Sequence, residues 1–142
     1  MTRVFRVLVV EDNEADAELA KRALRKVSGP VDVEAVADGD EALTWLRDRA
    51  RERRPLPDVV LLDLNMPRMS GHEVLTALRG DPVLSLLPVV VFSSSANPDD
   101  VKRAYQSHAN PYVTKPNDFT GYKSVMATLH DYWRQTATLP DC

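Results

Sequence analysis

Cysteine is almost missing from the chain: Cys142, the last of 142 residues, is the only one. A lone thiol forms no intramolecular disulfide, so nothing points to an oxidising compartment. No apolar stretch approaches the ~20 residues that span a bilayer. The opening MTRVFRVLVVED carries too short an apolar run for a secretory signal, and charges follow at once. A cytoplasmic location is therefore expected. Excess positive charge is lacking as well: the net charge is −3, which leaves no electrostatic footprint for nucleic acid. The densest basic run, RDRARERR at 47–54, is diluted by Asp48 and Glu52 and has no interleaved aromatics, so it reads as a solvated helix end and loop. His72, His108 and His130 are scattered, which argues against zinc. Internal repeats and low-complexity segments are absent.

What the chain does contain is alternation. A hydrophobic fraction of 44% with 27% charged residues describes a folded domain with room for one core. Arg6-Val-Leu-Val-Val10 is a short apolar run ending at Glu11-Asp12. Residues 13–27 place Ala17, Ala20, Ala23, Leu24 and Val27 at helical spacing, closed by Gly29-Pro30. Val31 to Ala37 alternates apolar with charged residues, as an edge strand with one wet face does. Asp38-Gly39 reads as a turn, and Asp40 to about Arg51 as a helix burying Ala42, Leu43 and either Trp45 or Leu46. A loop over 52–57 leads into Val59 to Leu62, apolar on both faces. Ser70 with Glu73 forms a capping box for a helix whose apolar face holds Val74, Leu75 and Leu78. Pro88 opens a strand over Val89 to Phe92. Residues 93–100 are a loop and helix start. Tyr112-Val113-Thr114 is a short fifth strand, and a last helix runs from about Asp118 to about Thr138. Five strand–helix units in alternation predict a parallel sheet with helices on both faces, an α/β doubly wound fold. Such sheets bind ligands at the carboxyl ends of their strands.

Polar groups collect at those ends. Glu11 and Asp12 follow the first strand, Asp63 the third, Ser93, Ser94 and Ser95 the fourth, and Lys115 the fifth. Any one of them has an ordinary explanation as a helix cap, a loop serine or a solvated lysine. Four strands delivering polar groups to one rim is a pattern. Carboxylates ~4 Å apart repel by about 4 kcal/mol per pair at an effective dielectric near 20, so positive charge is required. Lys115 supplies some of it. A hard divalent cation with oxygen ligands, of the Mg²⁺ kind, would supply more. A carboxylate beside such a cation and an ammonium is equipped for phosphoryl chemistry, in which the carboxylate can itself be the nucleophile.

The segments VVEDN (9–13), LLDLNMPRMSG (61–71), VVVFSSS (89–95) and YVTKP (112–116) together resemble the receiver domain of two-component response regulators, over nearly the whole chain. The acidic pair, the proline-bearing loop before the third strand and the aromatic last helix are similar to single-domain regulators that partner bacterial phytochromes. The resemblance implies a flavodoxin-like receiver fold with strand order 2-1-3-4-5. It implies that Asp63 is the phosphoacceptor, and that Glu11, Asp12, Asp63 and the backbone carbonyl of Asn65 hold Mg²⁺. Ser93 and Lys115 would engage the phosphoryl group, Ser93 and Tyr112 would form the switch, and Asn65 and Ser95 would tune dephosphorylation. Pro67 and Gly71 would shape the loop after Asp63. The partner implied is a sensor histidine kinase, with a histidine phosphotransfer protein as a second candidate. Such a protein catalyses only its own phosphorylation and dephosphorylation.

Two departures stand out. His108 occupies a position where the family usually has glycine, and the helix over 99–106 is short, poor in apolar residues and expected to fray. Residues 1–142 are expected to be one receiver domain with 118–138 as its last helix and a short tail, leaving no room for a DNA-binding module. In that helix Tyr122, Val125, Met126, Leu129, Tyr132 and Trp133 recur at helical spacing. Val125, Met126 and Leu129 are assigned to the core. Tyr132 and Trp133, with the tail to Leu139, are assigned to a homodimer contact. Three rivals are weighed. A haloacid-dehalogenase-like phosphatase needs a second aspartate where Asn65 stands and a cap segment. A flavodoxin-type flavin site would set phosphate against Glu11-Asp12. A non-phosphorylated scaffold would not need Asp63, Ser93 and Lys115 together.

Overall fold

The computed structural model describes residues 4–109 and 111–139. Its sheet contains β1 (Phe5–Val10), β2 (Val31–Val36), β3 (Val59–Leu62), β4 (Val89–Ser93) and β5 (Tyr112–Thr114), all parallel, in the order β2-β1-β3-β4-β5. The helices are α1 (Glu14–Arg25), α2 (Gly39–Arg51), α3 (Gly71–Arg79), α4 (Pro98–Gln106) and α5 (Phe119–Asp131). This is the expected doubly wound α/β receiver fold. β2 lies at the edge and alternates in burial along its length, as its charged positions require. β3 and β4, in the interior, are buried at every position.

The pleat divides the core. Successive strand side chains point to opposite faces. Leu8, Val10, Val60, Leu62, Val89 and Val91 therefore pack with Leu43, Leu46, Val74, Leu75, Leu78 and Ala104 of α2, α3 and α4. Val7, Val9, Val59, Leu61, Val90 and Phe92 pack with Ala20, Ala23 and Leu24 of α1 and with Tyr122 and Met126 of α5. Each such side chain contributes about 1.5–3 kcal/mol on burial, which fixes which face every later residue meets.

Helix starts follow the caps. Asn13 accepts from the Asp16 N–H, Asp38 from Glu41, and Asp118 from Gly121. The capping box of Ser70 and Glu73 is complete. α4 does not fray. The Asn97 side chain accepts from the Asp99 N–H, Pro98 begins the first turn, and Ala104 is fully buried, which holds a helix that apolar content alone would leave marginal. The last helix is shorter than expected: it ends at Asp131, and Tyr132–Thr136 form a wider π-type turn. Trp133, assigned above to an interface, packs partly buried against the α1–α5 side of the core, while Tyr132 is half exposed.

His108 adopts a left-handed backbone, φ +64°. That is the conformation for which glycine is the default residue, so the departure falls at a position where a side chain is costly. Arg79 secures it. Its guanidinium donates twice to the His108 carbonyl, at 3.2 and 2.8 Å, and also to the carbonyls of Ser85 and Leu87.

Candidate functional site

The register of the sheet brings the strand ends level. Val10 pairs with Leu62 and Ser93 with Thr114. The Asp63 N–H donates to the Val10 carbonyl at 3.0 Å, and the Lys115 N–H to the Ser93 carbonyl at 2.8 Å. Glu11, Asp63, Ser93 and Lys115 thus leave the sheet on one rim. Gly71 closes the loop after Asp63: its N–H donates to the Leu64 carbonyl, and a Cβ there would lie 2.2 Å from the Asp63 carbonyl oxygen. Only glycine permits that approach. Leu64 and Met66 anchor the loop in the core, with Asn65 and Pro67 exposed between and beyond them.

Glu11 and Asp63 are buried, Asp63 to 5% exposure, and Asp12 faces solvent. Each of the three offers a carboxylate oxygen, and these atoms lie within 4.8 Å of one another. Burial pushes the Glu11 carboxyl up to about 7. The Asp63 charge adds to this, and Lys115 opposes it by hydrogen bond and charge. Burial likewise raises Asp63, against the charge of Lys115. Lys115 inserts its ammonium among them with a side chain only 7% exposed, in contact with Glu11, 2.9 Å from Asp16 Oδ2 and 3.8 Å from Asp63 Oδ1. Burial works against that charge. Hydrogen bonds to Asp16 and Glu11 and the charges of Asp63 and Glu11 outweigh it and hold the lysine above its ordinary value.

A divalent cation fits this donor set. The ligands are all oxygen, two of the carboxyls are held above their normal range by burial, and Asp63 Oδ1 has no hydrogen-bond partner among the described residues. Glu11, Asp12 and Asp63 would hold it.

The hydroxyls lie on the other side of Asp63. Ser93 is fully buried, and its Oγ accepts from the Ser95 N–H at 3.2 Å. Ser95 Oγ donates to Asp100 Oδ2 at 2.7 Å. The Tyr112 hydroxyl donates to the Ser95 carbonyl at 2.7 Å, and the Tyr112 N–H donates to the Tyr105 hydroxyl. His72, buried at the start of α3, places Nε2 3.6 Å from Asp100 Oδ1. The structure thus brings Glu11, Asp12, Asp63 and Lys115 together, and links Ser93, Ser95 and Tyr112 by hydrogen bonds. Sequence reasoning missed Asp16, Asp100 and His72. Asp16 reads locally as an acidic residue in a helix's first turn, and His72 as a scattered histidine. Only the packing of the helices brings Asp16 of α1 to Lys115 and His72 of α3 to Asp100 of α4.

A family profile described as the response regulator receiver domain matches residues 7–126. The probable methanogenesis regulatory protein FilR2 of Methanothrix harundinacea is 40% identical over 91% of this chain and 83% of its own length. The response regulator Rcp1 of Synechocystis sp. is 35% identical over 94% of this chain and 92% of its own. The Mn²⁺-bound form of Rcp1 superposes with a TM-score of 0.84 at 34% identity, covering 96% of this chain and 99% of that one. The phosphorylated cyanobacterial phytochrome response regulator RcpA superposes with a TM-score of 0.88 at 39% identity, covering 98% of this chain and all of that one. The chain belongs to the response regulator receiver family of two-component signalling proteins.

Proposed function

We propose that the protein is a stand-alone response regulator that accepts a phosphoryl group on Asp63 from a sensor histidine kinase. One observation carries the assignment. Asp63 is a buried carboxylate at the end of β3, with an oxygen that has no hydrogen-bond partner among the described residues, facing Lys115 and two further carboxylates. An Asp63 oxygen attacks phosphorus, a new P–O bond forms, and the bond to the donor's imidazole nitrogen breaks, returning the electron pair to the imidazole. Glu11, Asp12, Asp63 and the Asn65 carbonyl would hold Mg²⁺, and a cation bound there would neutralise charge on the phosphoryl oxygens. The Lys115 ammonium stabilises the same charge. Ser93 turns its hydroxyl to the phosphoryl group, which releases the Ser95 N–H. The carbonyl that Tyr112 holds belongs to that same Ser95, so the rearrangement reaches Tyr112 and the α4–β5 surface. Asn65 and Ser95 flank the approach of water and set the lifetime of the acyl phosphate.

The likeness to RcpA supports a phytochrome-type kinase as partner. A homodimer through α5, the turn after it and the tail to Leu139 remains our assignment for the exposed Tyr132. The reading sets residues 1–142 as one receiver domain acting in the cytoplasm, with its own phosphorylation and dephosphorylation as its only chemistry. Among the described residues no helix is long and apolar enough to cross a membrane.

The test is incubation with acetyl phosphate, with and without Mg²⁺, followed by intact mass. A single Mg²⁺-dependent phosphoryl adduct on the wild type, absent from Asp63→Asn, is expected. No adduct, together with no effect of beryllofluoride on tryptophan fluorescence, would return the scaffold reading to the front. Light scattering at micromolar concentration tests the dimer, which a monomeric mass refutes.

A further inference from the structure

We propose that Asp16 is a positioning residue for Lys115, competing with the bound phosphoryl group for the ammonium and so limiting how tightly that group is held. The inference rests on the phosphoacceptor reading of Asp63.

The ammonium of Lys115 has three donors. Asp16 Oδ2 takes one at 2.9 Å, and Glu11 takes another. Asp63 Oδ1 stands at 3.8 Å, beyond hydrogen-bond reach, and has no partner of its own among the described residues. Lys115 is therefore drawn toward α1, off the acceptor oxygen. Asp16 is built into the frame that does this. It sits in the first turn of α1, its N–H donates to the Asn13 cap, and α1 follows β1 after a short link that begins with Glu11. It is not one of the three carboxylates that cluster for a cation. Its side chain, 31% exposed, is also far less buried than those of Glu11 and Asp63. Its role is thus separable from metal binding.

A phosphoryl group on Asp63 brings a charge of about −1.5 to −2 to the same ammonium. Lys115 then divides its donors between the phosphoryl oxygens and Asp16. The fixed charge of Asp16 also repels the phosphoryl group across this short distance. Both effects have the same sign, so Asp16 loosens the hold of the site on its ligand. Removing the charge while keeping the shape should tighten it.

The measurement is a beryllofluoride titration in Mg²⁺, followed by isothermal calorimetry, on the full chain. Asp16→Asn is expected to bind about five-fold more tightly than wild type, the range of one partly exposed ion pair. Asp16→Ser should move in the same direction, and Asp16→Glu, which restores the charge, should return to the wild-type value. A purely structural role for Asp16 would loosen binding in both neutral variants. Equal or weaker binding by Asp16→Asn and Asp16→Ser overturns the inference while leaving the phosphoacceptor reading intact. Failure of the wild type itself to bind overturns that reading and the role of Asp16 with it.

Discussion

The two flanks of Asp63 are built from different chemistry. On the α1–α5 side, Glu11, Asp16 and Lys115 form a knot of buried and half-buried charge. On the α3–α4 side, Ser93, Ser95 and Tyr112 form a chain of neutral hydroxyl and backbone hydrogen bonds that ends on Asp100. The pleat makes the division. Glu11 and Asp63 continue the series of Val7, Val9 and of Val59, Leu61, whose side chains face α1 and α5. Ser93 continues Val89 and Val91, and Tyr112 itself packs with them on the opposite side. The difference teaches a division of labour. Charges in a dry site interact strongly and are costly to separate, so they hold a reactant in place. A neutral hydrogen bond is worth about 1 kcal/mol net and can be exchanged for another, so the hydroxyl side can rearrange.

Breaking the charged side should have the larger consequences. Asp63→Asn is expected to abolish the Mg²⁺-dependent adduct completely in intact-mass analysis with acetyl phosphate, and any residual adduct at another carboxylate would move the acceptor. Lys115→Met leaves Glu11 and Asp63 buried without their cation. It is expected to lower stability by about 3 kcal/mol in urea unfolding, the scale of a buried pair stripped of one partner. A loss comparable to that of a surface lysine would show that solvent, rather than Lys115, balances the site.

On the hydroxyl side the effects shrink. Ser95→Ala removes the bond to Asp100 and the acceptor for the Asn97 N–H, and should cost about 1 kcal/mol in the same assay. A cost matching that of Lys115→Met would erase the contrast between the flanks. The smallest effect concerns pH. Burial, reinforced by the charge of Arg103, holds His72 below the ordinary histidine value, with Asp100 opposing. Folding therefore favours the neutral ring. Its contribution is complete above the unfolded value, about 6.5, and is lost as pH falls from there toward the folded value. His72→Leu should show a smaller fall in urea midpoint than wild type between about pH 7.5 and about pH 5.5. An unchanged pH dependence would mean that the ring takes up its proton without disturbing the α3–α4 contact.

Much of this was legible in the chain. The bounds of β3 and β5, the edge position of β2, and the capping box at Ser70 follow from apolar runs, alternation and caps, because those signals are local. The polar residues after four strands were legible for the same reason, since a parallel sheet carries all its carboxyl ends to one side. Where local signals misled, a distant contact decided. α4 is held by its cap and by Ala104 buried in the core, so its few apolar residues understate it. The last helix opens into a wider turn, and Trp133 folds back onto the core rather than standing clear.

By itself, then, the sequence determined the fold class, the strand ends and the polar residues that follow them, each encoded within a few residues of chain. Tertiary structure alone decided who meets whom: that Lys115 leans on Asp16, 99 positions away, and that His72 of α3 comes up to Asp100 of α4. The physical reason is range. Periodicity and capping act over one or two turns, whereas the strength of an ion pair depends on a distance and a degree of burial that exist only once the helices have docked.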